Sequence, residues 1–180
     1  AASKTYSSDA QITDSAPSAV AMTTGVKTIN DVMGINHTSK LDSCDDQKAK
    51  AVTTLWEMAD TIGMSTGLVT TATATHATPG ATYSHIANRD WESDAGMTPE
   101  ALAAGCADIA RQLVEMRYGD GLEVAMGGGR ANFLPNTVDD PEDEGKKGKR
   151  KDGRDLTKAW LERYGNGGAY VWNKEQFDQI

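Results

Sequence analysis

A chain of 180 residues suffices for one domain with a real core, and nothing in it calls for two. Its 26 acidic against 18 basic residues give a net charge of −8, which repels phosphate backbones and disfavours nucleic acid as the main partner. No apolar run approaches the roughly 20 residues that cross a bilayer, and residues 1–5 carry no apolar signal core.

The first informative stretch is Thr13-Asp14-Ser15-Ala16-Pro17-Ser18-Ala19. Thr13 or Asp14 can N-cap a helix, and Pro17 falls in its first turn, where a missing N–H costs little. Ser15 then sits at the positive end of the helix, where backbone N–H groups favour an anion and a serine oxygen gaining negative charge. The plain alternative is a serine that only caps. Residues 19–26 read as a short helix of small apolar residues closing near Gly25.

Residues 33–47 are polar and rich in turn formers, which predicts a surface loop carrying Cys44. Val52, Leu55, Trp56, Ala59 and Ile62 recur at spacings of three and four, predicting an amphipathic helix over 48–62 with that face buried and Gly63 at its end. Gly67-Leu68-Val69-Thr70-Thr71 follows as a buried strand of an α/β sheet, over 64–72, with parallel pairing expected. Thr78 can cap and Pro79 open a helix reaching about Asn88. Ligands of open α/β sheets bind at the carboxyl ends of strands, so His76, Thr78 and Arg89 fall where binding groups are expected. By itself, His76 reads as a satisfied loop histidine.

Thr98-Pro99-Glu100 opens a long helix with the apolar stripe Leu102, Cys106, Ile109, Leu113 and Met116. A second strand over 122–126 runs into Gly127-Gly128-Gly129-Arg130. That run lacks the spacing of a dinucleotide or Walker loop and reads as a flexible strand exit. Residues 139–144 hold five acids and 146–151 five bases, two blocks that can neutralise each other on an exposed loop. Beyond them come a helix over 156–164 with Trp160 and Leu161 inward, a short strand over 169–172, and a helix from 174. Cys44 and Cys106 stand too far apart for a short metal clip, which leaves a disulfide or two buried thiols.

Taken in order, Asp14-Ser15-Ala16, Thr24-Gly25-Val26-Lys27, Gly67-Leu68-Val69-Thr70-Thr71, His76-Ala77-Thr78-Pro79-Gly80-Ala81-Thr82-Tyr83, Asn88-Arg89-Asp90-Trp91, Gly105-Cys106-Ala107-Asp108-Ile109 and Gly127-Gly128-Gly129-Arg130 resemble the alkaline phosphatases. The likeness is to the animal and marine-bacterial branch and covers almost the whole chain. It implies a three-layer α/β/α sandwich, incomplete in this chain, which would form part of a single larger catalytic domain. It also implies phosphomonoester hydrolysis through a phosphoserine, with two zinc ions and one magnesium. Ser15 matches the nucleophile on the zinc side, Arg89 the phosphate clamp, and Asp14 the carboxylate that orients the clamp. Thr78 matches a magnesium ligand, and His76 a position that reaches magnesium through water. Cys44 and Cys106 match a disulfide of that branch.

The resemblance further implies a periplasmic or extracellular homodimer acting on small phosphate monoesters and inorganic phosphate. The family's downstream zinc ligands, and an upstream Asp and later Glu for magnesium, have no match here. A non-catalytic fragment of the same fold is therefore a rival, as is a related sulfatase or phosphodiesterase, although no Cys-x-Pro-x-Arg motif is present. A serine esterase is disfavoured because no Gly-x-Ser-x-Gly surrounds Ser15.

Overall fold

A computed structural model of the chain describes residues 4–180; residues 1–3, part of the opening stretch read above, lie outside the described residues. Helix α1 (Ser15–Thr24) begins where Asp14 caps it, the Asp14 carboxylate accepting the Ala16 N–H. It therefore starts earlier than its apolar run predicts. Gly25, at φ 73°, ends it in the left-handed region, and Ala16, Ala19 and Val20 are buried.

The surface loop expected over 33–47 is corrected at both ends. Val32, Met33 and Ile35 are core residues, because Met33 bridges to Ile86 and Ile35 to Ala51. Gly34 makes this possible: a Cβ there would meet the Ser84 carbonyl oxygen at 2.1 Å, and its φ is +61°. The other end forms α2 (Cys44–Ala49), capped by Ser43.

The expected helix over 48–62 is two helices. Ala51 is tied to Ile35 and the Val52 N–H to the Gly34 oxygen at 2.8 Å, so the chain is extended between α2 and α3 (Leu55–Thr61). Thr54 and Glu57 form a capping box that restarts it. The buried face holds only in part: Val52 and Trp56 pack against the core, but Leu55 and Ile62 are 59% and 74% exposed and Glu57 and Asp60 are inside.

Strands β1 (Gly67–Thr73) and β2 (Val124–Gly128) pair in parallel, Gly67 opposite Val124 and Thr73 opposite Gly128, with a register shift between Val69 and Thr73. The α/β class and parallel pairing hold. The strand is not buried on both faces, however, since Val69 is 76% exposed. Gly127 and Gly128 belong to β2, and Gly129, at φ +87°, makes the turn out of it.

Helix α4 (Ala77–Gly80) is only one turn long, not a run to Asn88, because the chain must turn back for Ile86 to reach Met33. The expected long helix after Thr98 is likewise split into α5 (Pro99–Ala103) and α6 (Ile109–Val114). Gly105 takes φ +72°, and Asp108 caps the second piece by accepting the Arg111 N–H. In the gap, Cys106 is bonded to Cys44 as a disulfide.

Ile109, Leu113, Trp91, Tyr83, Ala77 and Val20 belong to one core. Helix α7 (Leu156–Tyr164) adds Leu156 to it and packs a half-buried Trp160 against it as expected, but Leu161 is exposed. Residues 169–172 form no strand, and α8 (Lys174–Phe177) is one turn. Within 139–151 most side chains face solvent, with Lys146 paired to Asp143 and Lys147 to Asp139, whereas Arg150 is completely buried.

Candidate active site

Ser15 is the first residue of α1, so its hydroxyl lies where the first-turn N–H groups concentrate positive potential. Arg89 lies 74 residues further along the chain. Its main-chain N–H donates to the Asp31 oxygen at 2.7 Å, which fixes where the side chain starts. Nη1 then donates to Ser15 Oγ at 2.8 Å and lies 3.6 Å from Asp14 Oδ1. Nη2 lies 3.3 Å from His76 Nε2. A guanidinium has only donors, so that histidine nitrogen must be the acceptor.

Four residues named from sequence therefore converge: Asp14, Ser15, His76 and Arg89. Both Asp14 and Arg89 remain partly open to solvent. Thr78 lies on the adjacent turn of α4 with its side chain exposed, and among the described residues no hydrogen bond links it to the other four. His85 lies elsewhere, its ring nitrogens held by the Gly34 oxygen and the Glu57 carboxylate at 2.6 Å each.

Sequence reasoning missed Asp31. Besides receiving the Arg89 N–H, it donates its own N–H to Asp14 Oδ2 at 2.9 Å and adopts φ +65° to do so. Side-chain hydrogen bonding to Asp14, then burial, then the Asp14 charge push the Asp31 carboxyl up to about 6, with Arg89 opposing. The only signal was the turn-prone pair Asn30-Asp31. Also missed was Glu92, which accepts from Thr73, Thr75 and Asn132 and holds the carboxyl end of β1.

The donors around Ser15 do not fit a zinc centre. Zinc takes three or four Cys, His or carboxylate ligands. Here Asp14 is engaged by the α1 N-terminus and by Asp31, and His76 Nε2 faces Arg89. Among the described residues no three such side chains converge at Ser15. A guanidinium beside a helix-terminal serine instead makes a site for an oxyanion.

Comparison with known proteins agrees with this chemistry. The family model described as alkaline phosphatase matches residues 1–180. The tissue-nonspecific isozyme of alkaline phosphatase from Gallus gallus is 42% identical over 181 residues, covering 98% of this chain and 34% of that protein. The crystal structure of a cold-active alkaline phosphatase from the psychrophile Shewanella sp. superposes with a TM-score of 0.65 at 26% identity, over 99% of this chain and 33% of that one. A histidine-to-aspartate mutant of TAB5 alkaline phosphatase, described with Mg bound in its M3 site, gives a TM-score of 0.60 at 29% identity, over 89% and 34%. The chain thus spans about a third of the length of the curated relatives it matches. With the serine, arginine and aspartate brought together on a shared fold and the family match running from end to end, the chain belongs to the alkaline phosphatase family.

Proposed function

We propose that this chain carries the nucleophile and the phosphate clamp of a phosphomonoester hydrolase working through a phosphoserine. The observation that carries this is the 2.8 Å contact from Arg89 Nη1 to Ser15 Oγ. It puts a permanent, planar cation with further N–H donors beside a hydroxyl at a helix N-terminus.

A monoester's phosphoryl oxygens are gripped by the Arg89 guanidinium, which Asp14 and His76 hold from two sides. Ser15 Oγ attacks phosphorus in line and gives up its proton; the Oγ–P bond forms as the bond to the leaving alkoxide breaks, and that alkoxide takes up a proton. Water then attacks the phosphoserine, the Oγ–P bond breaks, and inorganic phosphate leaves with Ser15 restored. The family resemblance implies two zinc ions and one magnesium, which would supply charge stabilisation to the attacking and leaving oxygens, although the side chains at Ser15 do not by themselves hold zinc. Their ligands would come mostly from beyond these residues. Thr78 is the hard oxygen this chain offers to magnesium, with His76 acting through water.

On the same reading, residues 1–180 form one unit of a larger catalytic domain, and the full-length protein is a homodimer. The disulfide supports an oxidising compartment, periplasmic or extracellular.

The test is turnover of an aryl phosphate by the full-length protein. Ser15→Ala is expected to lower kcat by roughly three orders of magnitude or more. Arg89→Ala should weaken inhibition by inorganic phosphate by roughly 10- to 100-fold, the worth of a charge-assisted hydrogen-bond pair. Unchanged phosphate inhibition would remove the clamp from the account. Absence of turnover both from residues 1–180 alone and from the full-length protein would favour the non-catalytic reading.

A further inference from the structure

Far from Ser15, the carboxylates of Asp60, Asp120 and Glu123 converge, one oxygen from each lying within 4.8 Å of the others. Asp60 is near the end of α3, and the other two sit on the loop that enters β2. The Glu123 N–H donates to the Thr66 oxygen at 3.0 Å, which places the cluster at the amino ends of both parallel strands. The His76 segment leaves from the carboxyl end of β1, seven residues or roughly 20 Å away.

Two independent features mark this as more than an acidic patch. Asp60 is only 2% exposed, and while its Oδ2 accepts the Gly121 N–H at 3.1 Å, its Oδ1 is buried with no partner. Leaving a buried carboxylate oxygen unmatched is costly. Second, among the described residues none of the three carboxylates pairs with a basic side chain. Arg163, close by, spends its N–H groups on the carbonyls of Val114, Met116 and Asp120. The backbone is folded tightly over Asp60: a Cβ on Gly119 would meet its Cγ at 2.6 Å.

We propose that Asp60, Asp120 and Glu123 form a calcium site that fastens the end of α3 to the loop entering β2. The donor set is all oxygen, which suits a hard cation and not zinc. A shell of oxygens about 2.4 Å from calcium spans about 4.8 Å, so three carboxylate oxygens this close fit around one ion, with water on the exposed side of Asp120 and Glu123. The ion's double charge offsets most of the repulsion among the three carboxylates, and it stabilises the fold by mass action. It plays no part in phosphoryl transfer.

Terbium is a direct probe. The Tyr164 hydroxyl donates to the Asp120 carbonyl at 3.1 Å, and its ring packs on Trp160 with centroids 4.6 Å apart, so two sensitising rings adjoin the site. In chelator-treated full-length protein, terbium should give aromatic-sensitised emission that calcium displaces, and calcium alone should raise Tm by several degrees. Asp120→Asn and Glu123→Gln keep side-chain shape and should each weaken terbium binding at least tenfold and abolish the calcium shift. Metal-free Asp120→Asn should melt above metal-free wild type, since a repulsion is gone. Emission and calcium shifts identical in wild type and both variants overturn the site. So does a wild type indifferent to calcium whose stability rises as pH falls, because Asp60 and Asp120 would then be sharing a proton.

Discussion

Arg150 grips Asp108 across 42 residues of sequence with two nearly parallel bonds, Nη1 to Oδ1 at 3.1 Å and Nη2 to Oδ2 at 2.9 Å, both side chains buried. Asp152 and the Asn132 carbonyl take further Arg150 donors. Asp108 also caps α6, so one carboxylate closes a helix and anchors the far end of a charged loop. Arg150→Met leaves that carboxylate buried and unpaired, and urea unfolding should show a loss of about 3–5 kcal/mol. A loss below about 1 kcal/mol, the worth of a surface pair, would mean the bidentate contact carries no stability.

The His85–Glu57 pair makes stability depend on pH. Burial pushes the imidazole pKa down, but the hydrogen bond and charge of Glu57, with the Gly34 oxygen, outweigh it and leave the pKa raised. A raised folded-state pKa means the contribution is whole below about 6.5 and is lost as pH rises through the folded value. The stability gap between wild type and His85→Gln should therefore narrow from about pH 6 to about pH 9. A gap that is flat with pH would show that the pair is not ionised.

The Cys44–Cys106 bond closes a loop with a sequence separation of 62. In the chain-entropy account such a loop is worth about 4 kcal/mol, and the bond joins the start of α2 to the α5–α6 gap. The double variant Cys44→Ser/Cys106→Ser should unfold at clearly lower urea, and reductant should do the same to wild type but not to the variant. Equal midpoints for all three would contradict a structural role.

Gly34→Ala tests the hidden apolar segment. Its Cβ would run into the Ser84 carbonyl, and the φ of +61° is strained for alanine. A cost of at least about 2 kcal/mol is expected, whereas Gly25→Ala, with the same sign of φ but open space around it, should cost less. Equal costs would mean that strain alone matters and that the clash is relieved.

What was legible in the sequence was several helix caps, one strand and the set of residues that converge at Ser15. Asp14, Gly25, Thr98 and the Gly67–Thr71 run signalled correctly because caps and β-branched runs act locally. Lengths failed wherever a distant partner intervened. Residues 48–62 keep helical periodicity, yet Ile35 pulls Ala51 into a bridge and breaks the helix. Apolar spacing pointed Leu55 and Ile62 inward, but Glu57 and one oxygen of Asp60 turn in to meet His85, Thr54 and Gly121, and none of those partners is visible from local pattern. Arg150 was hidden in a run of bases for the same reason. At the site, Ser15, Asp14, His76 and Arg89 were found by resemblance, while Asp31 acts mainly through its backbone, which side-chain motifs do not report.

The central claim is that Ser15 becomes phosphorylated with Arg89 holding the phosphate, and the direct measurement is mass analysis of the peptide carrying Ser15 after acid-stopped reaction of the full-length protein with a phosphate monoester. The account predicts a phosphoryl group on Ser15, absent from Ser15→Ala and sharply reduced in Arg89→Ala. Undiminished turnover by Ser15→Ala, with no phosphorylated Ser15 in wild type, would contradict it.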